Sequence, residues 1–319
     1  MRILHFNRIP PEAGGWVGGD YTHVKNTVAA LAKLGNYEQI YGWAPNVDQE
    51  NVDVNQVDLT GVDLVHIYHL NMQWGFAMAM RCLREGIPYL FTSIFYSQIH
   101  HDMLGMLVNN SVITAAQSEN ERWEIIDITG CEPDKVIVIS GGVDKTIFHP
   151  GVDDPGRVCV VSTGRIGQGK GILQLAESCR RLALPYVQIG DFYNDQYGIK
   201  CLATMRYDQR NMHFQGLTPE GVATVLRQCK LYVCPSLSDR QSLGVLEAAA
   251  CGLPIVDSIY NRGSDTLPSS IIVNPNDPDA LDEAIRLQYW VARNLDYVPT
   301  WDDAAAKLKV YYDMVENKL

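Results

Sequence analysis

Short runs of apolar residues alternate along the chain with longer segments in which apolar residues recur at every third or fourth position. The short runs are typical of buried strands, and the longer segments are typical of helices with one buried face. The predicted strands cover residues 3–7, 64–68, 89–93, 112–115, 136–139, 158–163, 185–190, 211–215, 231–235, 254–257 and 270–273. The predicted helices cover residues 21–34, 75–85, 118–129, 171–182, 218–228 and 242–251, and two more begin at residues 280 and 301.

Two helix starts carry a recognisable signal. Ser118 with Glu121 three residues later predicts a capping box. Thr218 followed by Pro219 predicts an N-cap with proline in the first helical position.

A segment rich in proline and glycine, residues 149–156, separates two halves that both alternate strand and helix. This composition predicts a linker between two domains. Alternating strands and helices imply parallel sheets with helices on both faces. We therefore predict the α/β fold class, with two Rossmann-like domains that face each other across a cleft, at residues 1–150 and 151–300.

Composition and charge exclude several classes of protein. Hydrophobic residues make up 46% and charged residues 20%, as in ordinary globular proteins. The net charge of −11 makes nucleic acid and anionic membrane surfaces poor partners. No window has the roughly 18 apolar residues of a membrane span, and the N-terminus reads as a strand, which predicts a cytoplasmic protein. The eight cysteines form no C-x-x-C pair, so we expect reduced, buried thiols and no metal site.

The most informative stretch is residues 235–254, where a buried strand leads through a polar loop into a helix. Glu247 lies beside the apolar stripe of this helix, formed by Leu243, Leu246 and Ala250. A carboxylate there costs free energy unless it has a partner, and a sugar diol or a nearby arginine would each serve. The backbone amides of residues 241–244 lie at the helix N-terminus, where they can bind phosphate.

This stretch resembles the signature of family 4 retaining glycosyltransferases: a proline–serine pair, an acid, seven residues, Glu-Ala, and a Cys-Gly-x-Pro ending. The resemblance implies the GT-B fold, with a last helix at residues 301–319 that packs back on the N-terminal domain. It implies that Glu247 binds the ribose of the nucleotide and that Asp239 contacts the donor sugar. The family usually has glutamate at the first acid, so with Asp239 either the sugar lies closer or the contact is weaker.

Two other segments extend the resemblance. Residues 163–171 resemble the family's Gly-Arg…Lys-Gly segment, which implies that Arg165 and Lys170 clamp the donor diphosphate. Two fixed cations can stabilise a departing nucleoside diphosphate without a metal. Residues 18–24 resemble the family's glycine-pair loop, which implies that Gly18 and Gly19 approach the donor closely.

The chain departs from the family at residues 92–96, where many members carry a Thr-x-His-Asp turn whose histidine contacts the donor sugar. This segment contains neither histidine nor aspartate. His69, at the end of the strand 64–68, is the first candidate to replace that histidine, and His100, His101 and Tyr96 are others. The N-terminal half, which holds most of the acceptor site in this family, is also short for the family. The resemblance therefore does not imply the identity of the acceptor.

The sequence therefore predicts a retaining glycosyltransferase that uses a UDP- or GDP-type nucleotide sugar and no cofactor or metal. The acceptor, whether a small molecule, a glycan or a lipid-linked glycan, and the oligomeric state are left open. The alternatives are a catalytically weak or inactive sugar-nucleotide-binding protein, a GT-B epimerase and, disfavoured by the charge, a DNA-modifying transferase. The predicted catalytic residues are Asp239, Arg165, Lys170 and His69. The predicted donor-binding residues are Gly18, Gly19, Gly164, Arg165, Lys170, Gln241, Ser242, Leu243, Gly244 and Glu247.

Overall fold

The computed structural model describes residues 1–7, 19–35, 37–43, 54–68, 73–93, 101–152, 156–294 and 296–318. The chain divides into two compact units. Unit 1 comprises Met1–Gly142 and Trp301–Leu319, and unit 2 comprises Val143–Thr300. The sequence-based limits at residues 150 and 300 stay predictions of where the domains end.

Unit 1 contains a parallel sheet of six strands in the order β2-β1-β3-β4-β5-β6. The strands are β1 (Arg2–Asn7), β2 (Glu38–Trp43), β3 (Leu64–Ile67), β4 (Tyr89–Thr92), β5 (Thr114–Ala116) and β6 (Val136–Val138). The helices that follow them are α1 (Gly19–Leu31), α2 (Gln73–Glu85), α3 (His101–Asn110) and α4 (Glu119–Thr129).

Unit 2 contains a second parallel sheet of six strands in the order β12-β11-β10-β7-β8-β9. The strands are β7 (Val160–Thr163), β8 (Tyr186–Ile189), β9 (Met212–Phe214), β10 (Leu231–Val233), β11 (Ile255–Ser258) and β12 (Ile271–Val273). The helices are α5 (Ile172–Leu182), α6 (Gln196–Met205), α7 (Pro219–Gln228), α8 (Leu243–Ala250) and α9 (Pro278–Tyr289). The predicted α/β class, with a parallel sheet in each half, is confirmed.

The last helix, α10 (Trp301–Glu316), belongs to unit 1 and packs against α1. Its inner face inserts Trp301 and Tyr312 towards the sheet. The Trp301 ring lies edge-on to His23 of α1 at 5.2 Å, and the hydroxyl of Tyr312 is 2.6 Å from Nδ1 of His66 on β3. These aromatic side chains explain why the chain returns to unit 1 at its end.

The layer between the sheet of unit 1 and helices α1 and α10 holds three buried histidines, His5, His23 and His66. His66 has both ring nitrogens hydrogen-bonded, Nδ1 as above and Nε2 to the hydroxyl of Thr92 at 2.7 Å. Burial lowers the pKa of His5 to about 3 and that of His23 to about 4, because a charged imidazole loses its hydration there. The layer is therefore built from neutral imidazoles.

The two predicted helix starts are observed with one difference. The hydroxyl of Ser118 accepts a hydrogen bond from the backbone N–H of Glu121 at 3.1 Å, and that of Thr218 accepts one from Gly221 at 3.3 Å. The Glu121 carboxylate, however, accepts from the backbone N–H of Gln117 at 2.6 Å and from the hydroxyl of Ser93 at 3.1 Å. It thus joins α4 to the end of β4 in addition to capping the helix.

Candidate functional site

The order of strands in unit 2 reverses between β7 and β10. The chain leaves β7 towards β8 on one side and leaves β10 towards β11 on the other. In open parallel sheets a ligand binds outside the carboxyl ends of the strands at such a switch point. The Gly-Arg…Lys-Gly segment follows β7 and the acid motif follows β10, so unit 2 brings the two predicted motifs to the same edge of its sheet.

Lys170 and Asp239 meet at this edge. The Lys170 Nζ donates a hydrogen bond to the Asp239 Oδ2 at 2.6 Å. Burial alone would lower the pKa of Lys170, but the charge and the hydrogen bond of Asp239 outweigh it and raise that pKa. The two loops are also joined through their backbones, because Leu237 donates to the carbonyl of Gly169 at 2.9 Å. The cation is therefore fixed in position and stays charged at neutral pH.

Arg165 lies on the β8 side of the switch point. Its guanidinium stacks over the ring of Tyr193 at 4.8 Å from the ring centroid. Burial lowers the pKa of Arg165, and the charge of Asp191 acts in the opposite direction. Tyr193 follows Gly190 and Asp191, the two residues after β8, and was not predicted as a site residue. The packing of its ring against Arg165 places Tyr193 at the candidate site. A single tyrosine in a loop gives no sequence pattern from which this could be predicted.

Glycines allow close backbone approach at three points of this edge. Gly190 has φ +138°, and a Cβ there would lie 2.3 Å from the carbonyl oxygen of Gly164. Gly171 has φ +61°, and a Cβ would lie 1.9 Å from the carbonyl oxygen of Pro235. A Cβ on Gly244 would lie 2.0 Å from Oγ1 of Thr163. A larger residue at Gly190 or Gly171 would require the backbone to move, and one at Gly244 would require the side chain of Thr163 to shift.

Helix α8 begins at Leu243 with Ser242 as N-cap, close to the predicted start. The Ser242 hydroxyl caps no backbone amide. Within the described residues, the N–H groups of Leu243 and Gly244 have no protein acceptor. Two N–H groups at a helix N-terminus form a suitable site for a phosphate oxygen. The side chain of Gln241 turns away from this site and donates to the hydroxyl of Thr266 at 3.2 Å.

Glu247 is half-buried one turn into α8. Burial raises its pKa to about 7, because the charged carboxylate loses hydration. Among the described residues, no arginine or lysine forms an ion pair with it. The described residues therefore do not support the alternative in which Glu247 pairs with a nearby arginine. Its carboxylate is available to accept hydrogen bonds from two hydroxyls of a ligand.

Sequence reasoning missed two polar residues near Asp239, which are Asp257 at the end of β11 and Asn261 just after it. Both are almost fully buried, and the Asn261 Nδ2 donates to the Asp257 Oδ2 at 2.8 Å. Burial raises the pKa of Asp257 to about 7, although hydrogen bonds from Ser258, Asn261 and Cys234 act against this. The only sequence signal is an aspartate that ends an apolar strand, which is common at the carboxyl ends of parallel strands.

Four predicted residues are outside the described part of the chain, and two others belong to unit 1. Gly18, His69, His100 and Tyr96 fall outside the described residues. Gly19 and His101 are the first residues of α1 and α3 in unit 1, and both are exposed.

Two other kinds of feature are absent from the part of the chain that the structure describes. Those residues hold no group of three or more histidine, cysteine or carboxylate side chains arranged to bind a metal ion. None of the helices within them is long and apolar enough to cross a membrane.

Unit 2 contains the part of the chain that matches a known protein family. Residues 157–288, all in unit 2, match the protein-family model described as "Glycosyl transferases group 1". The chain is 26% identical over 272 residues to D-inositol 3-phosphate glycosyltransferase of Frankia alni, a match covering 71% of the chain and 66% of that relative. It is 27% identical over 169 residues to D-inositol 3-phosphate glycosyltransferase of Pseudarthrobacter chlorophenolicus, covering 47% of the chain and 40% of that relative. The chain thus spans less than two thirds of either relative's length.

Solved structures support the fold. Sucrose-phosphate synthase from Thermosynechococcus elongatus superimposes with a TM-score of 0.81 over 100% of both chains at 16% identity. Anabaena HepE in complex with UDP and glucose superimposes with a TM-score of 0.70 over 99% of both chains at 14% identity. The GT-B fold class and the resemblance to family 4 glycosyltransferases are confirmed.

Proposed function

We propose that this chain is a glycosyltransferase that moves a sugar from a UDP- or GDP-type donor to an acceptor, with retention at the anomeric carbon and without a metal. The observation that carries the proposal is the meeting of the two motifs at the switch point of unit 2, where the Lys170 ammonium lies 2.6 Å from Asp239. The match of residues 157–288 to group 1 glycosyltransferases supports it. HepE was solved in complex with UDP and glucose and with UDP-glucose, which makes UDP the first nucleotide to test.

Each group at the edge of the sheet has a role in this proposal. Glu247 accepts hydrogen bonds from the two ribose hydroxyls, and the N–H groups at the start of α8 bind the diphosphate. Arg165 and Lys170 neutralise the charge that develops on the diphosphate as it leaves. Asp239, held by Lys170, accepts hydrogen bonds from hydroxyls of the donor sugar.

The proposed reaction needs no protein nucleophile. The bond between the anomeric carbon and the phosphate oxygen breaks, and both electrons of that bond go to the diphosphate. The acceptor hydroxyl attacks the anomeric carbon from the face that the diphosphate leaves, and its proton passes to a diphosphate oxygen. Preorganised cations favour this step because the charge on the leaving group is larger in the transition state than in the bound donor.

A binding panel tests the donor site first. The melting temperature is measured with UDP, GDP, ADP and their common sugar conjugates, in EDTA and then with Mg²⁺. A ligand that binds only the folded state raises the melting temperature by mass action. We expect one nucleotide series to raise it in EDTA. If none does, the donor-site assignment is wrong, and a shift that requires Mg²⁺ contradicts the metal-free mechanism.

Turnover is tested with the sugar donor that binds. Donor consumption is measured without acceptor and with inositol 3-phosphate, which we choose because the Frankia alni relative is named for it. NMR of the product reports the anomeric configuration, and an inverted product contradicts retention. Binding without transfer to any acceptor and without slow donor hydrolysis supports the inactive binding protein instead.

A further inference from the structure

Asp257 and Asn261 form a buried hydrogen-bonded pair, and Asn261 lies in the segment that bridges to Asp239. The Asp257 Oδ1 accepts from the backbone N–H of Ser258 at 2.7 Å, and its Oδ2 accepts from the Asn261 Nδ2 at 2.8 Å. Each of the two residues is about 1% exposed. Asn261 also accepts from the backbone N–H of Gly263 at 3.3 Å, so its side chain fixes the start of a short 3-10 helix, Arg262–Thr266.

The backbone around Asn261 holds Asp239 from both sides. Asp239 donates its N–H to the carbonyl of Tyr260 at 3.1 Å, and its own carbonyl accepts from Arg262 at 3.1 Å. These two hydrogen bonds form an isolated parallel bridge between Asp239 and Asn261. The position of the Asp239 backbone therefore depends on the conformation that the Asp257–Asn261 pair gives to residues 260–262.

The same segment packs against the next part of the acid motif. A Cβ on Gly263 would lie 2.8 Å from Cγ of Gln241, so the 3-10 helix and Gln241 are in tight contact. The Gln241 Nε2 also donates to the hydroxyl of Thr266 at 3.2 Å. Residues 239 and 241 are thus both supported by one segment, and the start of α8 follows directly.

A short carboxylate needs such support more than a long one. Asp239 has one methylene fewer than glutamate, so its oxygens reach less far from the backbone. A displacement of its backbone by about 1 Å can cost on the order of 100-fold in catalysis. Burying an aspartate and an asparagine is costly unless both are hydrogen-bonded, as they are here.

We propose that the Asp257–Asn261 pair is a positioning element that sets where the Asp239 carboxylate meets Lys170 and the donor sugar. The sugar contact rests on the proposed function. The Lys170 contact is present in the structure and does not depend on it.

Two variants weaken the pair with little change of shape. Asp257→Asn is isosteric but cannot accept both hydrogen bonds without presenting an NH₂ group to one of the donors. Asn261→Ser keeps an oxygen to cap Gly263 and loses the bond to Asp257. The matched control is Asp282→Asn, because Asp282 is also a buried carboxylate of unit 2, paired with Arg181 at 2.8 Å on another face.

The first readout needs no ligand. Trace acetylation of the folded protein, followed by mass spectrometry, compares Lys170 with the exposed Lys200. We expect Lys170 to react at least fivefold faster in Asp257→Asn and Asn261→Ser than in the wild type or the control, because a displaced Asp239 no longer holds the ammonium. An unchanged rate in both variants overturns the proposal.

The second readout is the dissociation constant of UDP and of UDP-glucose by calorimetry. We expect both variants to weaken the binding of UDP-glucose at least fivefold and the binding of UDP by less than twofold. In an Asp239→Ala background, they should cause no further loss of affinity. An equal loss of affinity for both ligands would show that the Asp257–Asn261 pair has a general structural role, and it would overturn the proposal. If the wild type binds neither ligand, the proposed UDP donor is wrong, and so is the proposed contact of Asp239 with its sugar. The acetylation result still decides whether the pair positions Asp239.

Discussion

Replacing Glu247 by glutamine should make unit 2 more stable and its donor site weaker. Glutamine has nearly the shape of glutamate but no charge, so the half-buried site no longer has to hold a poorly hydrated carboxylate. A carboxylate kept at a cost in stability, with no cation beside it among the described residues, is expected where a ligand supplies the missing partner.

The magnitude follows from the pKa of Glu247, which burial raises from 4.5 to about 7. A pKa difference of one corresponds to about 1.4 kcal/mol, so the whole difference corresponds to about 3 kcal/mol. Solvent reaches part of this side chain, so we expect about 1–2 kcal/mol. Because the folded-state pKa is raised, the folded protein holds the proton more tightly, and stability is lost as the pH rises from about 4.5 to 7.

The assay is native-state hydrogen exchange of amides in α8 and β10, which reports the free energy of opening of unit 2. At pH 8 we expect Glu247→Gln to be more stable than the wild type by about 1–2 kcal/mol. At pH 5, where the folded wild type is already protonated at Glu247, the two proteins should differ little. The control is Glu283→Gln, an exposed glutamate 3.5 Å from Arg286, which should change stability by less than about 0.5 kcal/mol at either pH.

Donor affinity completes the test. Glu247→Gln should weaken binding of the preferred nucleotide at least tenfold at pH 8, which is about 1.4 kcal/mol. Wild-type affinity should fall as the pH drops below about 7, and that of the variant should not. A variant that is less stable at pH 8 would show that Glu247 has a stabilising partner. An unchanged affinity would remove the ribose role.

Three other changes probe other parts of the molecule. Lys170→Ala should weaken nucleotide binding at least tenfold while the protein stays folded, and Lys200→Ala, on an exposed face, should not; equal affinities in calorimetry would contradict the diphosphate role. Gly244→Ala should destabilise unit 2 by about 1–3 kcal/mol, because the added methyl would overlap a threonine hydroxyl at 2.0 Å, and an unchanged melting temperature would refute this. Unit 1 should lose stability as the pH falls below 6.5, because the pKa values of His5 and His23 are lowered to about 3 and about 4 in the folded state and the unfolded chain binds protons first. The two histidines together should lower the stability of unit 1 by up to about 4 kcal/mol at pH 5. Hydrogen-exchange protection of β1 and α1 that does not change as the pH falls would contradict this prediction.

Most of the fold could be predicted from the sequence because its strands are short apolar runs that lie between two layers of helices. The elements that were missed have weaker patterns. Strand β2 (Glu38–Trp43) pairs with β1 alone and is only partly buried, so its apolar residues are diluted by polar ones. Helix α3 contains Gly105 and ends in two asparagines, and helix α6 has Tyr197 and Gly198 in its first turn; these residues have lower helix propensity.

The candidate site was predictable only as far as its residues are neighbours in sequence. Lys170 and Glu247 could be named from their motifs, each in a local pattern with a chemical reason. The contact of Lys170 with Asp239 joins residues 69 positions apart, and only the strand order of unit 2 brings them together. The support from Asp257 and Asn261 has no local signal at all, because it consists of a buried hydrogen bond between a strand end and a turn.

Two buried ionisable groups, His66 in unit 1 and Glu247 in unit 2, differ in whether the protein compensates their loss of hydration. His66 in unit 1 has both ring nitrogens hydrogen-bonded, so its burial is compensated within the protein. Glu247 in unit 2 bears a similar loss of hydration, but no ion pair within the described residues compensates it. Since an uncompensated buried charge lowers stability, it persists under selection where something other than stability depends on it. On this argument, a ligand should be sought first at the edge of the unit 2 sheet that holds Glu247, rather than beside His66.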